Sequence, residues 1–197
     1  MLQKMNYSLF HSINKFAGYN TCIDTTAKLI AEYLPFIFIP VMMYYWFFKK
    51  DDASKTGILL VGYSTLLALL INLLITLFYF YPRPFMMHLG RQLVAHAPET
   101  SFPSDHTTFM FSIAFAFIAF NVSGKTGIIL ALLALIGGLT RVFAGVHFPF
   151  DVAGSIVVSL ISTAIVFVLK EFFSPINKRL IVFYRNILSQ VSLKQGK

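Results

Sequence analysis

The sequence predicts an all-α, polytopic membrane helix bundle of about five transmembrane helices, with an amphipathic interfacial helix at each end. Three observations carry this expectation. Hydrophobic residues make up 57% of the 197 and charged residues only 12%, about half the charge of a soluble chain. Long runs carry no charge at all: Thr56–Pro82, Thr107–Gly124, Thr126–Thr140 and Val152–Leu169. Both ends instead show apolar residues at helical spacing. Disordered, collagen-like, disulfide-scaffold and soluble globular classes are excluded by the same figures. A lone cysteine, Cys22, rules out an internal disulfide and a cysteine-based metal cluster.

At the N-terminus there is no long apolar core and no small-residue cleavage site, so it does not read as a signal peptide. Leu2, Met5, Leu9, Ile13 and Phe16 recur at helical spacing, with Gln3, Asn6, Ser12 and Asn14 between them, which predicts an interfacial helix within residues 1–23. Spans are expected near 25–48, 57–81, 106–124, 126–146 and 152–170. Pro35 and Pro40 should kink the first, which a membrane tolerates where neighbours re-satisfy the backbone. Residues 1–170 thus read as one membrane domain and 171–197 as a basic amphipathic tail. In that tail Ile176, Leu180, Phe183, Ile187 and Val191 form the apolar stripe, with Lys178, Arg179 and Arg185 off it. Contact with anionic lipid explains this stripe, and a homodimer contact is the alternative. No repeat, flexible linker or nucleic-acid motif appears, so the net charge of +8 reflects topology.

Five spans put the termini on opposite sides. Lys49, Lys50, Lys55, Lys125, Lys170, Lys178, Arg179, Arg185, Lys194 and Lys197 share the side of the C-terminus; Lys4, Lys15, Lys28, Arg83, Arg91 and Arg141 share the other. The positive-inside rule then places the C-terminus in the cytoplasm.

The remaining polar residues converge. Tyr81-Pro82-Arg83-Pro84 closes the second span, Pro103-Ser104-Asp105-His106 opens the third, Thr140-Arg141 ends the fourth and His147-Phe148-Pro149-Phe150-Asp151 opens the fifth. Spans three and four run out and back, so all these segments reach one face. Singly, each residue has a plainer reading. Arg83 reads as a snorkelling anchor, Ser104 as a helix N-cap, Asp151 as a first-turn acid after a proline, and His106 or His147 as interface packing. Arg141 is harder to explain away, because an ionisable group at that depth is functional by default. Together they describe a phosphate site. Two guanidinium forks and a helix N-terminus suit phosphate oxygens. Two histidines suit covalent phosphoryl transfer, one attacking as neutral imidazole and one protonating the leaving oxygen. Asp151 would hold the attacking His147 in its tautomer.

A two-metal phosphatase needs clustered carboxylates or histidines. The outer loops offer only Glu99, Asp105 and Asp151 as acids, and His88 and His96 lack ligand spacing, so no metal or other cofactor is expected. Ser104 as a hydrolase nucleophile lacks the G-x-S-x-G elbow.

Arg83-Pro84, then Pro103-Ser104-Asp105-His106, then Thr140-Arg141 with His147 and Asp151 resembles the three-part signature of the type 2 phosphatidic acid phosphatase superfamily. Within it, the pattern is most similar to bacterial undecaprenyl-diphosphate phosphatases of the bacitracin-resistance type. The resemblance spans residues 5–170 and implies His147 as nucleophile, His106 as general acid and Asp151 as the partner of His147. It further implies Arg83, Arg141, Ser104 and the backbone N–H of Asp105 as phosphate ligands, and a polyprenyl diphosphate as substrate. Phosphatidate or phosphatidylglycerol phosphate is the alternative within the superfamily, and a transporter subunit the alternative outside it. Implied too is a site on the outer face of a bacterial plasma membrane. Three positions depart from the signature: Thr76 stands where a lysine is usual, Asp105 where a glycine is, and Thr140 where a serine is. Arg91 and Lys28 are the candidates for the missing charge.

Overall fold

The computed structural model describes residues 1–195, and among them there are seven α-helices and no strand. They run α1 (Leu2–Asn14), α2 (Thr21–Phe48), α3 (Asp52–Phe78), α4 (Asp105–Ala119), α5 (Gly124–Phe143), α6 (Pro149–Val168) and α7 (Lys170–Gln195), with a short 3-10 turn at Pro84–Met87. Local chemistry sets several starts. Asn20 caps α2 by accepting from the N–H groups of Cys22 and Ile23, Asp51 caps α3 through Ser54, and Ser123 caps α5 through Thr126. Proline opens α6, where its missing N–H costs nothing.

Four helices, α2, α3, α5 and α6, are long and apolar enough to cross a membrane, and α4 is a shorter apolar helix. The chain is thus a multi-pass membrane protein. The expected third span, 106–124, is overextended at its end. Helix α4 stops at Ala119, Asn121 turns with φ +52°, and α5 begins at Gly124. With 15 residues α4 reaches about 22 Å. It sits at the centre of the bundle, against α3, α5 and α6, so protein rather than lipid covers most of its length between Thr107 and Phe117. Met110, Ile113, Ala114, Ala116 and Phe117 of α4 form the core with Phe38, Val61 and Ala134.

Helix α1 carries the expected apolar stripe on its outer side and packs inward by a second face. Leu2, Met5, Leu9 and Phe16 are exposed, whereas Asn6, Phe10 and Asn14 are buried against α5 and α6. The buried asparagines make contacts a leucine cannot. Asn14 Nδ2 donates to the carbonyls of Arg91 (2.8 Å) and Phe143 (2.7 Å), its Oδ1 accepts from Arg91 N (2.7 Å), and Asn6 Oδ1 accepts from Phe150 N (3.0 Å). At the other end, Lys55 is buried and donates to the carbonyls of Trp46 and Lys49, closing the C-terminus of α2. Tyr184 of α7 covers that lysine, and Arg185 pairs with Asp52. Helix α7 is therefore docked on the α2–α3 turn; the side chains of Val191 and Lys194, and all of Lys197, lie outside the described residues.

Candidate active site

The segments between α3 and α4 and between α5 and α6 meet over the same end of the bundle. The strand-like stretch after Phe78 brings Arg83 inward, and Ser101 N donates to Tyr81 O (2.7 Å), so the two ends of the long loop are tied together. Arg141, in the last turn of α5, and His147, just before α6, are buried to 2% and 1% exposure. Arg83 is 5% exposed.

His147 organises the site because its two nitrogens face opposite environments. Nδ1 lies 2.9 Å from the Ser101 carbonyl and 3.3 Å from Asp151 Oδ2. Both partners are acceptors, so Nδ1 carries the hydrogen. The lone pair is left on Nε2, which accepts from Arg83 Nη1 (3.1 Å) and Arg141 Nη2 (3.4 Å). An imidazole lone pair held between two guanidiniums faces a place suited to an anion, where it can act as a nucleophile. Burial first, then Arg141 and Arg83, push the His147 pKa well below the usual imidazole value, so the ring is neutral at physiological pH.

Asp151 is buried, and its Oδ2 also accepts from the Ser101 hydroxyl and from Phe148 N (2.7 Å). These donors hold a buried carboxylate in one orientation, which in turn fixes the imidazole. Arg83 Nη1 is anchored to Val146 O (3.0 Å) and Arg141 Nη1 to Ala31 O (3.0 Å), so each fork has one arm on the scaffold.

Ser104 occupies the N-cap position of α4 without making a side-chain cap. Its hydroxyl accepts from Thr107 Oγ1 (3.0 Å), while its N–H donates to Ser155 Oγ (3.1 Å). The carboxylate of Asp105 is turned toward α3 and takes a hydrogen bond from Asn72 Nδ2 (2.9 Å), which moves its charge off the helix N-terminus. His106, half-buried in the first turn of α4, lines a cavity of about 300 Å³ with Pro35, Phe36, Ile39, Leu69, Asp105 and Phe109. Ile39, Leu69 and Phe109 also border a second, wholly apolar groove of about 560 Å³ that continues along α2 and α3. A lipid chain lying there would leave its headgroup beside His106.

Neither candidate for the missing lysine reaches these groups by contact. Thr76 turns its hydroxyl back to Leu73 O (2.8 Å), Arg91 donates to Ala17 O (3.2 Å), and Lys28 is exposed on α2. His88 is exposed in a left-handed turn. His96, in contrast, places its ring 6.4 Å from that of His147. Sequence reasoning missed Ser101, Asn72 and Asn14 as well. Each is a neutral residue whose role is a hydrogen bond across 33 or more positions, and spacing along the chain carries no trace of it.

The chain is similar to several known proteins. Over 190 residues the chain is 34% identical to the undecaprenyl-diphosphatase BcrC of Bacillus subtilis (strain 168), an alignment covering 96% of this chain and 97% of that one. It is 26% identical over 165 residues to the bacitracin transport permease protein BcrC of Bacillus licheniformis, covering 83% and 80%. Among solved structures, LpxE of Aquifex aeolicus superposes with a TM-score of 0.68 at 26% identity, covering 82% of this chain and 94% of that one. The family model described as the PAP2 superfamily matches residues 57–174, which hold the arginine-proline pair, the serine-aspartate-histidine run and the arginine-histidine-aspartate triad. The chain belongs to the PAP2 superfamily.

Proposed function

We propose that this protein hydrolyses undecaprenyl diphosphate to undecaprenyl phosphate and inorganic phosphate through a phosphohistidine, at the outer face of a bacterial plasma membrane. Such a reaction recycles the carrier lipid of cell-wall synthesis and opposes bacitracin. One observation carries the chemistry: the Nε2 lone pair of His147 is presented to Arg83 and Arg141 while Nδ1–H is held by Ser101 and Asp151. The relative that is 34% identical, itself an undecaprenyl-diphosphatase by name, supports the substrate. So does the apolar groove ending at His106.

In the first step the terminal phosphate displaces the two guanidinium arms from Nε2 and takes them as ligands, with the Ser104 hydroxyl and the Asp105 N–H at the start of α4. His147 Nε2 attacks the phosphorus, the bond to the bridging oxygen breaks, and His106 gives its proton to the departing lipid phosphate. The positive charge on His147 is stabilised by Asp151. In the second step neutral His106 takes a proton from water, whose oxygen attacks the phosphorus and releases His147. Transporters gather polar groups near the bilayer midplane, at broken helices. Here they gather at one end of the bundle, which favours the hydrolase over the permease reading.

The test is an assay of purified protein on undecaprenyl diphosphate, phosphatidate and phosphatidylglycerol phosphate, with rapid-quench trapping of labelled enzyme. Preference for either glycerolipid overturns the substrate. His147→Ala is expected to lose label and at least about 10³-fold in activity on every substrate. His106→Ala should be impaired on the diphosphate and much less on an ester of a low-pKa phenol. Label retained in His147→Ala, or the reverse pattern between the two histidines, overturns the mechanism.

A further inference from the structure

The mechanism above gives the transferred phosphate its ligands but leaves the second phosphate of a diphosphate with a single partner, His106. The position from which the family's lysine would reach from α3 is Thr76, and its hydroxyl is turned back on its own helix. A histidine outside the signature stands beside His147. His96 lies on the loop between α3 and α4, and that loop is strapped to the scaffold on both sides. Arg91 N donates to Asn14 Oδ1, Leu93 N to Ala144 O (2.9 Å), and Ser101 N to Tyr81 O (2.7 Å). Val94 is buried against Ala31, Ala144 and Val146. His96 is thereby carried over His147, edge to face, at 6.4 Å between ring centres and 77° between planes.

The ring is half-buried, and its one protein hydrogen bond is a long contact from Nδ1 to Ala97 O at 3.3 Å. Nε2 is therefore free for a ligand. Both site arginines act on it: burial first, then Arg83 and Arg141, hold the His96 imidazole below its usual pKa. An arriving diphosphate brings several negative charges and reverses that field. With Nδ1 and Nε2 both protonated, the ring becomes a cationic donor at the mouth of the site.

We propose that His96 binds the phosphate that leaves with the lipid, and so makes the site selective for diphosphates over phosphomonoesters. The inference rests on the reading in which His147 attacks the terminal phosphorus. Its geometry is the placement of a strapped imidazole beside His147. An imidazolium–phosphate bond at a part-buried site supports a preference of about tenfold to a hundredfold.

The experiment compares kcat/KM for farnesyl diphosphate and p-nitrophenyl phosphate in the wild type, His96→Gln and His96→Lys. For His96→Gln the ratio of the two is expected to fall at least fivefold, through a raised KM for the diphosphate. His96→Lys, which restores a cation without the ring, should recover at least half of that ratio on a logarithmic scale. A ratio change below fivefold, an equal loss on both substrates, or no recovery in His96→Lys overturns the proposal. Failure of the underlying reading looks different. The wild type itself would then not cleave the diphosphate, or would form no phosphoenzyme that His147→Ala abolishes.

Discussion

His147 can serve as a nucleophile at neutral pH only if it stays unprotonated beside a carboxylate, and a histidine–aspartate pair alone would favour the charged ring. Burial of the imidazole and the two guanidiniums on its Nε2 side work against that charge, in that order of importance for burial, Arg141 and Arg83. The sign of the pH dependence follows. Protonation removes the lone pair, so activity is lost as pH falls through the depressed His147 pKa, and the acid limb of kcat/KM lies below the ordinary imidazole value of about 6.5. Replacing Arg141 by Gln removes a cation that holds the proton off. The residual activity of Arg141→Gln on an activated ester should show its acid limb displaced to higher pH. A limb that stays in place or moves lower would mean that Arg141 does not set the basicity of His147. These residues were legible in the sequence because charge in an apolar chain is conspicuous and its spacing is short, as between Arg141, His147 and Asp151. Ser101 was not, although its carbonyl and hydroxyl touch both His147 and Asp151; a serine next to a recognised motif has no signal of its own.

At the scale of elements, the site depends on a loop held against the end of α5. Gly145 lies against this loop. Its φ is +78°, and a β-carbon there would stand 2.3 Å from the Arg91 carbonyl, which also accepts from Asn14. Gly145→Ala therefore combines a left-handed backbone with a collision, a cost of about 1–3 kcal/mol before the loop moves. It should lower the thermal unfolding temperature in detergent, keep helix content, and reduce kcat/KM by at least about tenfold as Leu93 parts from Ala144 and His96 is displaced. Unchanged activity in Gly145→Ala would show that this strap does not position the site. The elements themselves were readable to different degrees. Long uncharged runs located α3, α5 and α6 because bilayer thickness imposes a length. Helix α4 escaped that rule by being enclosed in protein. The apolar stripe of α1 was readable, but its inner face was not, because Asn6 and Asn14 dock there by hydrogen bonds to segments far away in the chain.

For the whole molecule, the question is which side of the membrane the site occupies. Helix α1 and the loops bearing Arg83, His96 and His147 lie at one end of the bundle, and the α2–α3 turn, the α4–α5 turn and α7 lie at the other. Of the fourteen cations whose side chains are described, eight fall on the second end. Of the six on the first, Arg83 and Arg141 are buried in the site and anchored to carbonyls, so they do not act as topology signals, which leaves four. Lys55, although buried, caps α2 at the cation-rich end. By the positive-inside rule we propose that this end faces the cytoplasm and the site the outside, where a lipid diphosphate released by wall synthesis would be met. Single cysteines at Ala97 and Ala53, both exposed positions on opposite ends, test this in a Cys22→Ser background, since Cys22 is itself exposed. In intact cells an impermeant thiol reagent should label the cysteine at 97 and leave that at 53 unlabelled until the membrane is opened. Labelling at 53 alone would turn the site toward the cytoplasm and end its assignment to recycling at the outer face, while the chemistry at His147 would stand.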